Sequence, residues 1–372
     1  MAISSVFGTE HELEFSSSEL SGALGDSVTV LPLIVALAMT TSVSLPHVLV
    51  GFGVFQIVWG LYYGMPISVE PMKALVGLAI VGVLSYAELA AAGLLAGVVL
   101  LAAGRFGLIG RLQQVVGEPV VRGIQLAVAL LLLEAAVGLS VGNVPVAAAG
   151  LALVVALAVV GYRQESVLVV LGVGGVAAVL VAGLPSPTLP ALAVFPAGSP
   201  TASIAALEGT VAQLGMTVGN AAIATSLLCA DLYDRRISAD DLSESMGVTC
   251  LAAIPAGGVP MCHGSGGLAG KYAFGARTGG ANVLLGVGYL ALALVATGAL
   301  LAAFPLALLG VLLVVVALEL GRAALAPIET VPALAIVFVV GAVGLVGNVG
   351  LAFVLGTVAY WLVSTRFGAD GR

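Results

Sequence analysis

Charge is what this sequence has least of. Only 8% of its 372 residues are Asp, Glu, Lys or Arg, 60% are hydrophobic, and the mean hydropathy is +1.20. A soluble domain carries roughly a quarter charged residues, so a water-soluble fold is excluded. Lys and Arg are scarcer than Asp and Glu, 12 against 19, which argues against nucleic acid as a partner. Cysteine is scarce too. Cys229, Cys250 and Cys262 sit among apolar or Gly-rich neighbours without metal-ligand spacing and read as small buried residues. With only three histidines beside them, neither a metal cluster nor a nucleophile constellation is present, so no metal, no cofactor and no enzymatic chemistry is expected. Residues 1–19 are polar and acidic, without a basic start or a small-residue cleavage site, and do not read as a cleaved signal peptide.

What fills the chain is apolar runs of membrane-spanning length, about 20 residues each. Breaks at Gly, Pro or charge divide 20–184 into seven spans and 204–366 into seven more. A Pro-rich, uncharged connection at 185–203 separates the halves, and a short tail follows at 367–372. The expected fold is an all-α polytopic membrane protein of about 14 transmembrane segments. Two spans are broken: the third, around Pro71, and the tenth, from Pro260 through a run of glycines to Gly280. Unpaired backbone at membrane depth is tolerated only where protein or a watery cavity satisfies it. A half-helix starting there aims its free N–H groups at the cavity, which suits an anion.

The halves repeat at low level. Leu24-Gly25-Asp26-Ser27-Val28 matches Leu214-Gly215-Met216-Thr217-Val218, Pro71-Met72 matches Pro260-Met261, and Pro119 with Gly123 matches Pro305 with Gly310, each about 190 positions on. Seven spans per half is odd, so the halves are expected upside down relative to one another. An inverted repeat with an interrupted span at the same place in each half points to a secondary transporter with a midplane site. With both termini cytoplasmic, Arg105, Arg111, Arg163, Arg235 and Arg236 all fall in inner loops, and Lys271 and Arg277 end the tenth span. The expected outer loops carry no Lys or Arg.

Lys73 alone stands outside that pattern, near the membrane centre, where a lysine needs a carboxylate or a bound anion as partner; snorkelling to the inner face is the alternative. Asp26, deep in the first span, and Glu70, beside Lys73, are the candidate proton-coupling carboxylates, with a structural ion pair as the competing role. Gly264, Ser265 and Gly266 offer backbone N–H groups and a hydroxyl to an oxyanion, or else a tight helix contact. Met72, Thr29 and His263 adjoin the same region, and Gln213, Thr217 and Asn220 form one polar face of the eighth span. Glu134 and Glu319 match across the repeat within two positions and read as tuning helix packing or helix ends.

The run Glu19 to Asp26, the run Met65 to Ala74, Asn220 to Leu232 and Pro260 to Gly280 resemble the molybdate transporter family, a compact branch related to the sulfate permeases. The resemblance covers nearly the whole chain. It implies the seven-plus-seven inverted repeat shared with sulfate and uracil permeases, in which spans one to four and eight to eleven form a core domain moving against a gate domain. The substrate is then expected between the third and tenth half-helices. Two departures stand out: the chain ends soon after its last span, where sulfate permeases carry a regulatory domain, and position 70 is Glu where an uncharged amide is expected. The resulting expectation is a multi-pass cell-membrane importer of molybdate, proton-coupled, with a homodimer allowed. A sulfate or general oxyanion transporter is the alternative within the class, and an anion channel of the same fold is the alternative outside it.

Overall fold

The computed structural model describes residues 12–111, 117–191, 193–346 and 348–367. Fourteen principal helices run through them. The first seven are α1 (Ser17–Thr40), α2 (Leu45–Tyr63), α3 (Lys73–Ile80), α4 (Tyr86–Arg105), α5 (Glu118–Ser140), α6 (Val144–Val159) and α7 (Glu165–Ala182). The second seven are α8 (Ile204–Tyr233), α9 (Ala239–Ala253), α10 (Ser265–Ala273), α11 (Gly280–Val295), α12 (Leu306–Leu325), α13 (Val331–Val346) and α14 (Val349–Phe367). Among the described residues, seven helical stretches are long and apolar enough to cross a membrane, and α11, α13 and most of α14 are shorter apolar helices.

Local chemistry sets the helix ends. The Ser16 side chain accepts the Glu19 N–H at the start of α1, and Ser85 with Glu88 forms a reciprocal capping box on α4. Ser203 and Ser238 cap α8 and α9 in the same way. The Glu19 carboxylate, buried, accepts the N–H groups of Arg277, Thr278 and Ala281, tying α1 to the start of α11.

Exchanging α1–α7 for α8–α14 maps the packing onto itself. The contact of α2 with α11 has its counterpart in α9 with α4, α1 with α10 in α8 with α3, and α1 with α12 in α8 with α5. Likewise α5 with α13 mirrors α12 with α6, and α13 with α14 mirrors α6 with α7. Even the means of contact is shared: Gly53 meets Gly286 between α2 and α11, and Gly97 meets Gly247 between α4 and α9, each so close that a Cβ would overlap the opposing backbone. Two bodies result. Helices α1–α4 and α8–α11 pack as a core, α5–α7 and α12–α14 as a gate, and the bodies touch mainly through α1, α3 and α8 on one side and α5, α7, α12 and α14 on the other. Val155, Val159, Val173, Val176 and Leu180 on α6 and α7 are exposed, as an outward face bathed in lipid requires.

Candidate oxyanion site

Pro71 and Pro260 lie in extended segments that lead into two half-helices in the middle of the core, and the two segments satisfy each other. Strand β1 (Glu70–Pro71) pairs antiparallel with β2 (Met261–Cys262), Glu70 opposite Cys262 and Pro71 opposite Met261, and the Met72 N–H donates to Pro260 O at 2.9 Å. The repeat-related Pro71-Met72 and Pro260-Met261 thus lie side by side on the pseudo-twofold. From this crossing α3 begins at Lys73 and α10 at Ser265.

The two half-helix starts differ. Gln213 of α8 reaches over α3, its Oε1 accepting the N–H groups of Ala74 at 2.9 Å and Leu75 at 3.3 Å. At α10, the N–H groups of Ser265, Gly266 and Gly267 have no acceptor among the described residues. A cavity of about 210 Å³ opens beside them, lined by Lys73, Thr29, Asn220, Ser265, Gly266 and Gly267 from the core. The gate adds Gln125 of α5 and Glu319 of α12, and Gln164 comes from the turn before α7. A second, more open hollow of about 450 Å³ shares Gln164 and Glu319 with the first and adds Arg163 and Glu165.

Five expected site residues therefore meet in one place: Thr29, Lys73, Asn220, Ser265 and Gly266. The others stand behind it. Gln213 caps α3 and donates through Nε2 to Thr217 Oγ1 at 2.9 Å, so both side chains are engaged within the core. A π-helical stretch, Thr217–Ile223, changes the phase of α8, and Met216 with Asn220 lines the cavity in place of Thr217. Met72 is fully buried at the strand crossing. His263 lies under the strands, where Nδ1 donates to Ser68 O at 2.9 Å and Nε2 pairs with Ser245 Oγ at 2.7 Å. Gly264 precedes the cavity and packs on Glu70, whose carboxylate fills the space a side chain there would need. Ser265 Oγ donates to Asn220 Oδ1 at 2.8 Å, joining α10 to α8 across the cavity wall.

The charges sort into pairs. Glu70 and Lys73 form an ion pair at 2.5 Å, with Glu70 buried and Lys73 partly open to the cavity. Asp26 pairs with Lys271 of α10 at 3.2 Å, not with Lys73. Lys271 Nζ also donates to Gln56 Oε1 at 3.0 Å and Asn282 Oδ1 at 2.6 Å. Lys271 lies in the last turn of α10 but does not emerge at the inner face expected of it. It is wholly buried, because α10 is only nine residues long and Lys271 still lies at the level of Asp26. Glu319 corrects another expectation: it faces the cavity instead of serving helix packing. Gln125 and Gln164 carry no signal in the sequence, since an isolated glutamine belongs to no motif.

Three comparisons bear on this arrangement. A family described as "Molybdate transporter of MFS superfamily" matches residues 18–132 and 205–320, which hold both broken helices. The chain belongs to the molybdate transporter family. Molybdate transporter 2 of Arabidopsis thaliana is 30% identical over 94% of this chain and 88% of its own length, and Molybdate transporter 1 of the same plant is 31% identical over the same shares. Among solved structures, SLC26A9 superposes with a TM-score of 0.71 at 13% identity, covering 96% of this chain and 66% of that one. The transmembrane domain of BicA, a cyanobacterium bicarbonate transporter, gives 0.60 at 16% identity over 94% of this chain and 98% of that one. The molybdate transporter chain accordingly shares their fold, an inverted repeat of seven and seven helices with crossed half-helices, although the family description places it in the MFS superfamily. It is a membrane transporter and not an enzyme.

Proposed function

We propose that this protein carries molybdate across the membrane, with the anion held at the start of α10 by the N–H groups of Ser265, Gly266 and Gly267 and by the Lys73 ammonium. The convergence of those unengaged N–H groups with a lysine on one cavity, in a chain of this family, is the observation that supports the reading. Backbone N–H groups and the positive end of a helix favour an oxyanion without fixing its element, and glycines let it approach the backbone. Thr29 and the Asn220 amide N–H supply further hydrogen bonds, with Asn220 held in place by the Ser265 hydroxyl. Lys73 contributes because the anion competes with Glu70 for the same ammonium. Shifting the core, which holds all of these donors, against the gate opens the cavity to one side and then the other.

Import is the proposed direction and a proton the proposed co-substrate. Of the core carboxylates that could carry it, Asp26 and Glu70 each have a lysine partner. Proteins that bind a ligand only when folded are stabilised by it, so molybdate should raise the melting temperature of the purified protein. Lys73→Ala should abolish that rise, and an unchanged rise in the variant would remove Lys73 from the site.

A further inference from the structure

We propose that Glu319 of α12 is the carboxylate whose protonation couples proton movement to oxyanion binding; the proposal rests on the oxyanion reading above. Its geometry sets it apart. Glu319 lines both the inner cavity and the outer hollow, so a solute passing from one to the other passes its carboxylate. It has no ion-pair or hydrogen-bond partner among the described residues, whereas the nearby charges Glu70 with Lys73, Asp26 with Lys271, and Glu118 with Arg122 are matched. With those pairs neutral, an ionised Glu319 gives the cavity a net negative charge, and a protonated one leaves it to the lysine and the helix end.

The surroundings of Glu319 are defined on every side. Lys73 and Glu70 face it from the core and Arg163 from the α6–α7 turn, and Glu165 shares the outer hollow. Helices α6 and α13 bring no charged residue to α12. From α5, Arg122 is held by Glu118 and Gln125, while Glu134 is exposed; from α1, Asp26 is enclosed with Lys271; on α12 itself, Arg322 is exposed. Lys73 and Arg163 are thus the cations within reach, and Lys73 is the one the anion itself engages.

Position turns this into coupling. The anion donors ride on the core and Glu319 on the gate, so movement of the two bodies changes the distance between the carboxylate and the bound anion. A dianion beside Glu319 favours its protonated form, and by reciprocity protonation favours the dianion. The sign follows: affinity is highest at low pH and falls as pH rises through the range where Glu319 ionises, by up to about tenfold per pH unit for one linked proton.

The test is molybdate binding to purified protein between about pH 5.5 and 8, with uptake into proteoliposomes under a pH gradient, for wild type, Glu319→Gln and Glu319→Asp. The expected result is that Glu319→Gln binds with the low-pH affinity across the range and no longer accumulates molybdate in response to the gradient, while Glu319→Asp keeps both responses. Glu319→Ser provides a second neutral variant should the glutamine form fail to fold. A neutral variant that keeps the pH dependence and the gradient response overturns the proposal. Wild-type binding that is flat in pH overturns it while leaving the oxyanion reading intact, and wild type that binds no molybdate at any pH overturns both.

Discussion

Asp26 of α1 and Lys271 of α10 meet at 3.2 Å with neither side chain reaching solvent. Gln56 of α2 donates to Asp26 and accepts from Lys271, and Asn282 of α11 accepts from Lys271 while donating to Ile67 O. Four helices and the chain leading to β1 are therefore locked by one polar cluster, which fixes the half-helix α10 in the core. Breaking a buried pair leaves the remaining charge uncompensated at a cost of about 3–5 kcal/mol, whereas removing both charges is far milder. Lys271→Ala should accordingly lower the melting temperature sharply, and Asp26→Asn combined with Lys271→Gln should recover most of the loss. Equal melting temperatures for the single and the double variant would show that the pair is not what holds α10.

Two adjacent glycines should behave in opposite ways. A Cβ on Gly266 meets nothing within 4 Å and points into the cavity, whereas one on Gly267 overlaps Glu70 Oε1, Ser68 Oγ and Asp26 Oδ1. Gly266→Ala is expected to fold with near-normal stability but to bind molybdate more weakly, because the methyl group occupies the anion's approach to the N–H groups. Gly267→Ala is expected to lose stability as well. Melting curves with and without molybdate separate the two effects.

Gln213 is expected to matter for stability through α3. Replacing it with Leu leaves the Ala74 and Leu75 N–H groups unpaired at membrane depth, each buried donor costing about 1–3 kcal/mol. Gln213→Glu retains an acceptor and should lose less. Thermal unfolding in detergent, compared across the two variants, checks the order.

The sequence made some of this legible for physical reasons and hid the rest. Proline lacks an N–H and disfavours a helix interior, so Pro71 and Pro260 mark the extended segments ahead of α3 and α10, and the offset they share with the other matched pairs reveals the repeat. Lys73 stands out because a lone lysine in an apolar run has to be paired. Lys271 does not, since at the end of a glycine-rich span it mimics an inner-loop basic residue; only the packing of α1, α2 and α11 around it shows it to be enclosed. The polar face of α8 shifted because a π-helical stretch breaks the regular spacing on which that reading relied. Gln125, Gln164 and Glu319 come to the cavity from the gate, so their roles depend on how two bodies dock and on no local pattern.

Molybdate transport is measured by uptake of labelled molybdate into proteoliposomes at submicromolar concentration, with and without a large sulfate excess, at two external pH values. The prediction is uptake that survives sulfate and is greater at the lower pH. Abolition by sulfate would contradict molybdate selectivity and make this a general oxyanion carrier, and absence of uptake of either anion would contradict the transport reading itself.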